Sequence, residues 1–221
     1  DGGTLSRCFV TNNVSMGAGG GLWLRGGTVV NCLVANNRAA TTAGGITVGA
    51  SANTLQFCTV AGNVCGDGNV GAGVYVADGS LTCQNSLIAA NGTDPANEIG
   101  VASGKTAAFT YCILPTSRTG TGNLVWDSSR PTFRDDGSYL TVADANYQGV
   151  DKATTISGVT QDILGSLRPL DGDKNGDALP DIGCCEFNPA QSGGEVAKLL
   201  PDRTEVAVGE QIGFTLSMEG F

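Results

Sequence analysis

The sequence predicts an all-β fold: a solenoid of about 24–28-residue coils wound as a parallel β-helix, with an irregular C-terminal cap. Three observations predict it. The stretch "NCLVANN" (31–37) has relatives in "RCFVTNN" (7–13), "FCTVAGN" (57–63), "NSLIAAN" (85–91) and "YCILPTS" (111–117), which align Cys8, Cys32, Cys58, Ser86 and Cys112 at intervals of 24, 26, 28 and 26. A second motif, "GGGLWL" (19–24), "AGGITV" (43–48) and "GAGVYV" (71–76), repeats between them at 24 and 28. A third, "GGTL" (2–5), "GGTV" (26–29), "ANTL" (52–55) and "DGSL" (78–81), leads into each cysteine strand on the same period.

The segments between these motifs are rich in Gly, Ala, Asn and Thr, and none shows the 3.6-residue apolar period of a helix. A leucine-rich repeat would need L-x-x-L-x-L spacing, usually with a helical return. Short β-branched strands between glycine turns fit a β-helix instead, its strands stacked at roughly 4.8 Å. Residues 1–117 then form about four to five coils.

Equivalent positions of successive coils stack, so one residue type recurs in one column. The asparagines five places after each column position, Asn13, Asn37, Asn63 and Asn91, are expected at a sharp turn, where asparagine tolerates left-handed backbone and stacked amides bond from coil to coil. The sequons at Asn13 and Asn91 coincide with this ladder and read as architecture. The cysteines are expected to point inward with the valine two places on, as in Cys32/Val34. Parallel in-register thiols give poor disulfide geometry, so stacked free thiols are expected. Cys65 and Cys83 flank one strand, where pairing stays open. Phe9, Leu33, Leu87 and Ile113 are apolar too, so either both strand faces are covered or the inward assignment is off by one.

Composition narrows the chemistry. The chain has no histidine, which excludes Ser-His-Asp and Cys-His catalysis and every His-ligated metal. Its 21 acidic against 12 basic residues give a net charge of −9, which disfavours nucleic acid and anionic membranes as partners. No apolar run is long enough to insert in a membrane. The chain opens inside the repeat, which reads as a fragment of a longer protein.

After about residue 118 the register dissolves, and residues 118–187 read as irregular last coils and the cap. Within them "QDILGSLRPLDGDKNGDALPDIGCCEF" (161–187) resembles the closing segment of bacterial surface β-helix proteins of the polymorphic outer-membrane and choice-of-anchor type. Their ending is close to D-I-L-G-x-x-R-P-x-D-G-D-x-x-G-x-x-x-x-D-I-G-A-Y-E. Asp162, Ile163, Leu164, Gly165, Arg168, Pro169, Asp171, Gly172, Asp173, Gly176, Asp181, Ile182, Gly183 and Glu186 match it, while Cys184-Cys185 replace Ala-Tyr. The resemblance covers roughly 1–187. It implies a right-handed β-helix that is secreted or attached to a bacterial cell surface, with no general enzymatic activity.

The loop from Asp171 carries oxygen ligands at alternate positions, Asp171, Asp173 and Asn175, followed by Gly176, Asp177 and the more distant Asp181. That spacing resembles Ca²⁺ loops, although Ile182 stands where a bidentate Glu is expected. Two readings stay open, a Ca²⁺ site and a solvated acidic turn. Residues 188–195 read as a linker, and 196–221 as the truncated start of an Ig-like or PKD-like module with a strand pair around Gly209-Glu210.

Function is sought where the repeat varies. Trp23, Thr47 and Tyr75 occupy the centre of the second motif and should share one outer face, the two aromatics two rungs or roughly 10 Å apart. Such a face suits polysaccharide or host and cell-surface glycans; ordinary outer-face aromatics are the alternative. The leading expectation is a non-enzymatic extracellular adhesin, glycan-binding or structural scaffold. The competing one is a polysaccharide lyase or glycoside hydrolase, since β-helices host both, and catalysis would need charged residues stacked on adjacent coils. Asp67, Asp78, Asp94 and Glu98 do not align in that way, and no catalytic residue is assigned.

Overall fold

A computed structural model describes residues 2–66, 70–141 and 144–190, with the backbone of strands 198–201 and 214–217. The chain divides into two compact units, Asp1–Asn188 and Pro189–Phe221.

The first unit is a parallel β-solenoid. Its registers, Thr4↔Thr28, Thr28↔Thr54, Thr54↔Thr82 and Thr82↔Ala108, reproduce the 24, 26, 28 and 26 read from the cysteine column. Each coil has three sides. The first sheet holds Thr4–Ser6, Leu22–Val30, Ile46–Gln56 and the pairs Val74–Val76/Ser80–Gln84 and Ile99–Val101/Thr106–Thr110. The second runs from Phe9–Thr11 through Leu33–Ala35, Thr59–Ala61, Leu87–Ala89 and Ile113–Leu114 to Leu124–Val125. The third is short, with Val14–Ser15, Arg38–Ala39 and Val64–Cys65.

The third motif belongs to the first sheet, not to the cysteine strand. Leu22–Val30 runs unbroken through both "LWL" and "GGTV", with register shifts at Leu24–Gly27. A bend then separates "GGTV" from the cysteine strand, made by one residue with left-handed backbone: Arg7, Asn31, Phe57, Asn85 and Tyr111, with φ between 49° and 54°.

The cysteine side chains do face inward. Cys32, Cys58 and Cys112 are buried in the interior with Val34, Val60 and Leu114. They are also more than apolar filler. Each thiol donates to the carbonyl two residues back (Cys58 Sγ to Gln56 O, 3.3 Å), and Cys32 Sγ accepts from the Cys8 N–H. Ser86 repeats both bonds, its hydroxyl donating to Gln84 O and accepting from the Cys58 N–H. A serine can therefore replace a cysteine because the column serves the polar backbone at the bend. Burial pushes the Cys32 thiol up to about 11 and the Cys58 thiol to about 12, so both stay protonated at neutral pH. Cys65 and Cys83 sit in different clusters, and the Cys83 thiol lies 3.8 Å from the Cys112 thiol.

The asparagine ladder forms, with its roles divided differently from the expectation. The left-handed residue is the one before each ladder position, Asn12, Asn36, Gly62 and Ala90. The ladder residue supplies the amide: Asn13 Nδ2 donates to Asn37 Oδ1 (2.9 Å), Asn37 to Asn63 (3.0 Å) and Asn63 to Asn91 (2.8 Å). Each Oδ1 also accepts the backbone N–H of the ladder residue one rung earlier. Asn91 is buried within the ladder, so its sequon is structural.

The ladder ends on Glu98, 2% exposed, whose Oε2 accepts from Asn91 Nδ2 (2.9 Å). A 3₁₀ turn, Pro95–Asn97, capped by Asp94, delivers Glu98 to the end of the ladder. Burial raises the Glu98 carboxyl above its usual value. The native state thus holds this proton more tightly than the unfolded chain. The stability Glu98 contributes is fully present below its unfolded pKa of about 4.3 and is lost as pH rises through the folded value. Relative to the parent, Glu98→Gln should gain stability between pH 4 and pH 8. Denaturant melts at both pH values check this, and a pH-independent difference would refute it.

Both faces of the second sheet are covered, which resolves the doubt over Leu33, Leu87 and Ile113. The irregular segment continues the last rung through Leu124–Val125 and then lies along this flank. Leu87 and Ile113 pack with Tyr147, Val150, Ile182 and Phe187, and Leu33 packs with Leu140, Ile163, Cys184 and Cys185. The cap therefore covers a side of the solenoid. Phe9, at the first rung, stays 53% exposed.

In the second unit, Lys198–Pro201 pairs antiparallel with Phe214–Ser217, Lys198 opposite Ser217. The turn expected at Gly209-Glu210 lies outside the described residues, as does most of the 188–195 linker.

Candidate functional site

Three places on the first unit carry the side chains singled out by the sequence. The first is the outer face of the first sheet. Trp23 pairs in register with Thr47, and Thr47 with Tyr75, so the three stand in one column on consecutive rungs. Trp23 is 53% exposed and Tyr75 half-buried, but Thr47 is only 1% exposed and its Oγ1 has no hydrogen-bond partner among the described residues. Thr47 thus lies beneath the surface that its two neighbours present and offers a ligand no contact. The rings rest on glycines. A Cβ at Gly49 would come within 2.2 Å of Trp23 Nε1, and one at Gly100 within 2.7 Å of the Tyr75 ring. These glycines leave room for the rings to lie close against the sheet.

The second place is a buried clasp that ties the closing segment to the bend column. Arg168 Nε donates to Glu186 Oε2 (2.8 Å), one Nη to Asn31 Oδ1 (3.2 Å) and the other to Gly183 O (3.1 Å). Its guanidinium stacks 4.2 Å from the centroid of the Phe57 ring. Glu186 also accepts the backbone N–H groups of Leu170 and Asp181. Asp162 accepts from the N–H groups of Leu164, Ser166 and Glu186. Asp181, which the sequence grouped with the acidic loop, belongs here: it is 1% exposed and its oxygens accept from the Asp151 and Phe187 N–H groups. Burial, then the neighbouring Glu186, pushes its carboxyl up to about 8. Further along the bend column, Asn85 exchanges two hydrogen bonds with Thr154, and Arg7 donates to Gln161 Oε1.

No sequence argument had assigned this docking role to Arg7, Asn31, Phe57 and Asn85. The available signal was contrast: the position before each cysteine is large and varied, whereas its neighbours repeat.

The third place is the acidic loop. Asp171 accepts from the N–H groups of Asn175 and Gly176, and Asp173 from that of Asn175. Asn175 Oδ1 accepts from the Asp177 N–H, and both residues are exposed. The loop brings Asp171 and Asp173 together with Asp151, one carboxylate oxygen of each lying within 4.8 Å of the others. Asp151 escaped the sequence reading because it precedes the motif and reaches the loop only through the fold. Gly172 permits the approach, since a Cβ there would meet Val150 at 2.6 Å and Asp151 Oδ2 at 3.4 Å.

The acidic residues of the coils are spent elsewhere. Asp78 pairs with Lys105, Asp94 caps the 3₁₀ turn and Glu98 ends the ladder; Asp67 lies outside the described residues. Among the described residues no helix is long and apolar enough to cross a membrane. The chain matches no family model, no curated protein and no solved structure.

Proposed function

We propose that this chain belongs to a secreted or cell-surface β-helix that works without catalysis, as a rigid scaffold binding polysaccharide or cell-surface glycan. The observation that carries it is the pair Trp23 and Tyr75, one exposed and one half-exposed, two rungs apart on one sheet face and set close over glycines. Two rungs are roughly 10 Å, a separation at which two rings can stack on sugar units of one chain. A parallel sheet holds such rings at fixed spacing with little conformational freedom left to lose on binding. Kinship with the polymorphic outer-membrane and choice-of-anchor proteins is part of this reading. It is supported by the closing motif, whose Asp162, Arg168, Asp181 and Glu186 are the residues that build the clasp.

A glycan array followed by titration calorimetry on the best binder tests the proposal. With each stacking contact worth on the order of 1 kcal/mol, Trp23→Ala/Tyr75→Ala should weaken binding roughly thirtyfold at an unchanged circular dichroism spectrum. Release of reducing ends or unsaturated products from a polysaccharide panel would replace this reading with the lyase or hydrolase one. Glycan binding that survives the double substitution would remove the aromatic pair from it.

A further inference from the structure

The acidic loop and Asp151 carry an inference independent of the glycan reading. Clustered surface carboxylates alone are common and signify little. Here one member is different. Asp151 is 4% exposed, and its Oδ1 has no hydrogen-bond partner among the described residues, while Oδ2 accepts from the Asp173 N–H (2.7 Å). An anionic oxygen buried without a donor is costly unless a cation meets it. Among the described residues the ion pair in this group is Lys152 Nζ with Asp173 Oδ2, 4.0 Å apart and on a half-exposed side chain. Neither Asp151 nor Asp171 has an ion-pair partner among the described residues.

We propose that Asp151, Asp171 and Asp173 bind a calcium ion that staples the acidic loop to the rest of the closing segment. The donors are all hard oxygens, with no sulfur or imidazole in the group. Calcium takes oxygens at about 2.3–2.6 Å, and the three carboxylate oxygens lie within 4.8 Å of one another, near enough for one cation to reach all three. Magnesium needs tighter octahedral geometry than an irregular loop supplies. The loop is also partly organised, since Asp171 and Asp173 are held by the N–H groups of Asn175 and Gly176. Asp181 and Asp177 are not ligands in this assignment: the first is committed to the clasp, and the second is outside the group.

The test is thermal melting and calorimetric titration of the whole chain at pH 7.5, in EGTA and with 1 mM CaCl₂ or MgCl₂. Calcium should raise the melting temperature by roughly 5 °C or more, as expected for a ligand at about a hundred times its Kd. Asp151→Asn is the informative variant. Asn accepts the left-handed backbone of this position (φ 54°) and can still accept the Asp173 N–H. It should abolish the calcium shift while melting in EGTA no lower than the parent, because the unpartnered charge is gone. Asp177→Asn should keep the shift. The assignment is overturned if calcium leaves the melting temperature unchanged, if Asp151→Asn retains the shift, or if magnesium stabilises equally.

Discussion

Replacing Arg168 with methionine is expected to cost the fold about 3–5 kcal/mol, the largest effect of any single substitution considered for this chain. The side chain is fully buried, as is that of Glu186, and the pair is 2.8 Å apart. Without the guanidinium, Glu186 keeps its two backbone donors but loses its one ion-pair partner among the described residues, while the Asp181 N–H still bonds to it. Asn31 Oδ1 and Gly183 O lose donors as well. Methionine restores most of the volume over Phe57, so the measured loss reports charge and hydrogen bonding more than a cavity. Guanidinium denaturation at pH 7 measures it. The loss should shrink toward pH 4, where Glu186 can take up a proton and needs no partner, and Arg168→Met/Glu186→Gln should recover part of it. Lysine should rescue little, because it supplies a point charge in place of the planar fork that reaches three acceptors and stacks on a ring. A cost under about 1 kcal/mol, or one independent of pH, would show that the clasp is not what holds the closing segment.

Asn63→Ala is expected to cost about 3 kcal/mol or more, and Asn13→Ala less than about 1 kcal/mol. The two residues occupy the same column and differ in what surrounds them. Asn63 is 0% exposed and donates to Val34 O, Ala61 O and Asn91 Oδ1 while accepting from the amide and backbone of Asn37. Truncation takes the acceptor from the Asn37 N–H and amide and a donor from Val34 O, away from water, while Asn91 Oδ1 and Ala61 O keep the N–H groups of residues 63 and 36. Asn13 stands exposed at the first rung, where water replaces the lost bond. Asn63→Asp should fare no better than alanine, since a carboxylate can accept the two bonds from Asn37 yet would face three carbonyl-type oxygens. Paired denaturation curves decide the matter, and equal costs at the two positions would mean that burial does not set the strength of the ladder. All amides in the column point the same way, so their dipoles add, and the run ends on the carboxylate of Glu98, the strongest acceptor available.

The period was legible because a solenoid writes its geometry into the chain directly. Residues 24–28 apart are neighbours in space, and whatever one rung needs at a position the next rung needs too. Cys32 and Asn37 were conspicuous for that reason. What each contributed was less legible, because a repeated letter records a shared requirement without naming it. The cysteine column proved to serve backbone groups at a bend, and Ser86, the one departure, was the clue. The asparagine pairs divided two jobs between adjacent residues that periodicity alone could not separate.

Contacts outside the repeat were hidden. Glu98 has no period and reaches the ladder through a 3₁₀ turn. Asp151 joins Asp171 and Asp173, and Asp181 leaves them, by folding of an aperiodic segment whose long-range pairs no local pattern encodes.

By itself, then, the sequence determined the solenoid, its period and the columns that line its interior. Those follow from stacking one coil on the next, an interaction local in register and repeated several times over. The tertiary structure alone decided which flank the closing segment covers, that Thr47 is buried between the exposed Trp23 and half-buried Tyr75 of its column, and which carboxylates meet. Each of these depends on a single contact between distant residues, set by packing, charge burial and hydrogen bonding that occur only once in the chain.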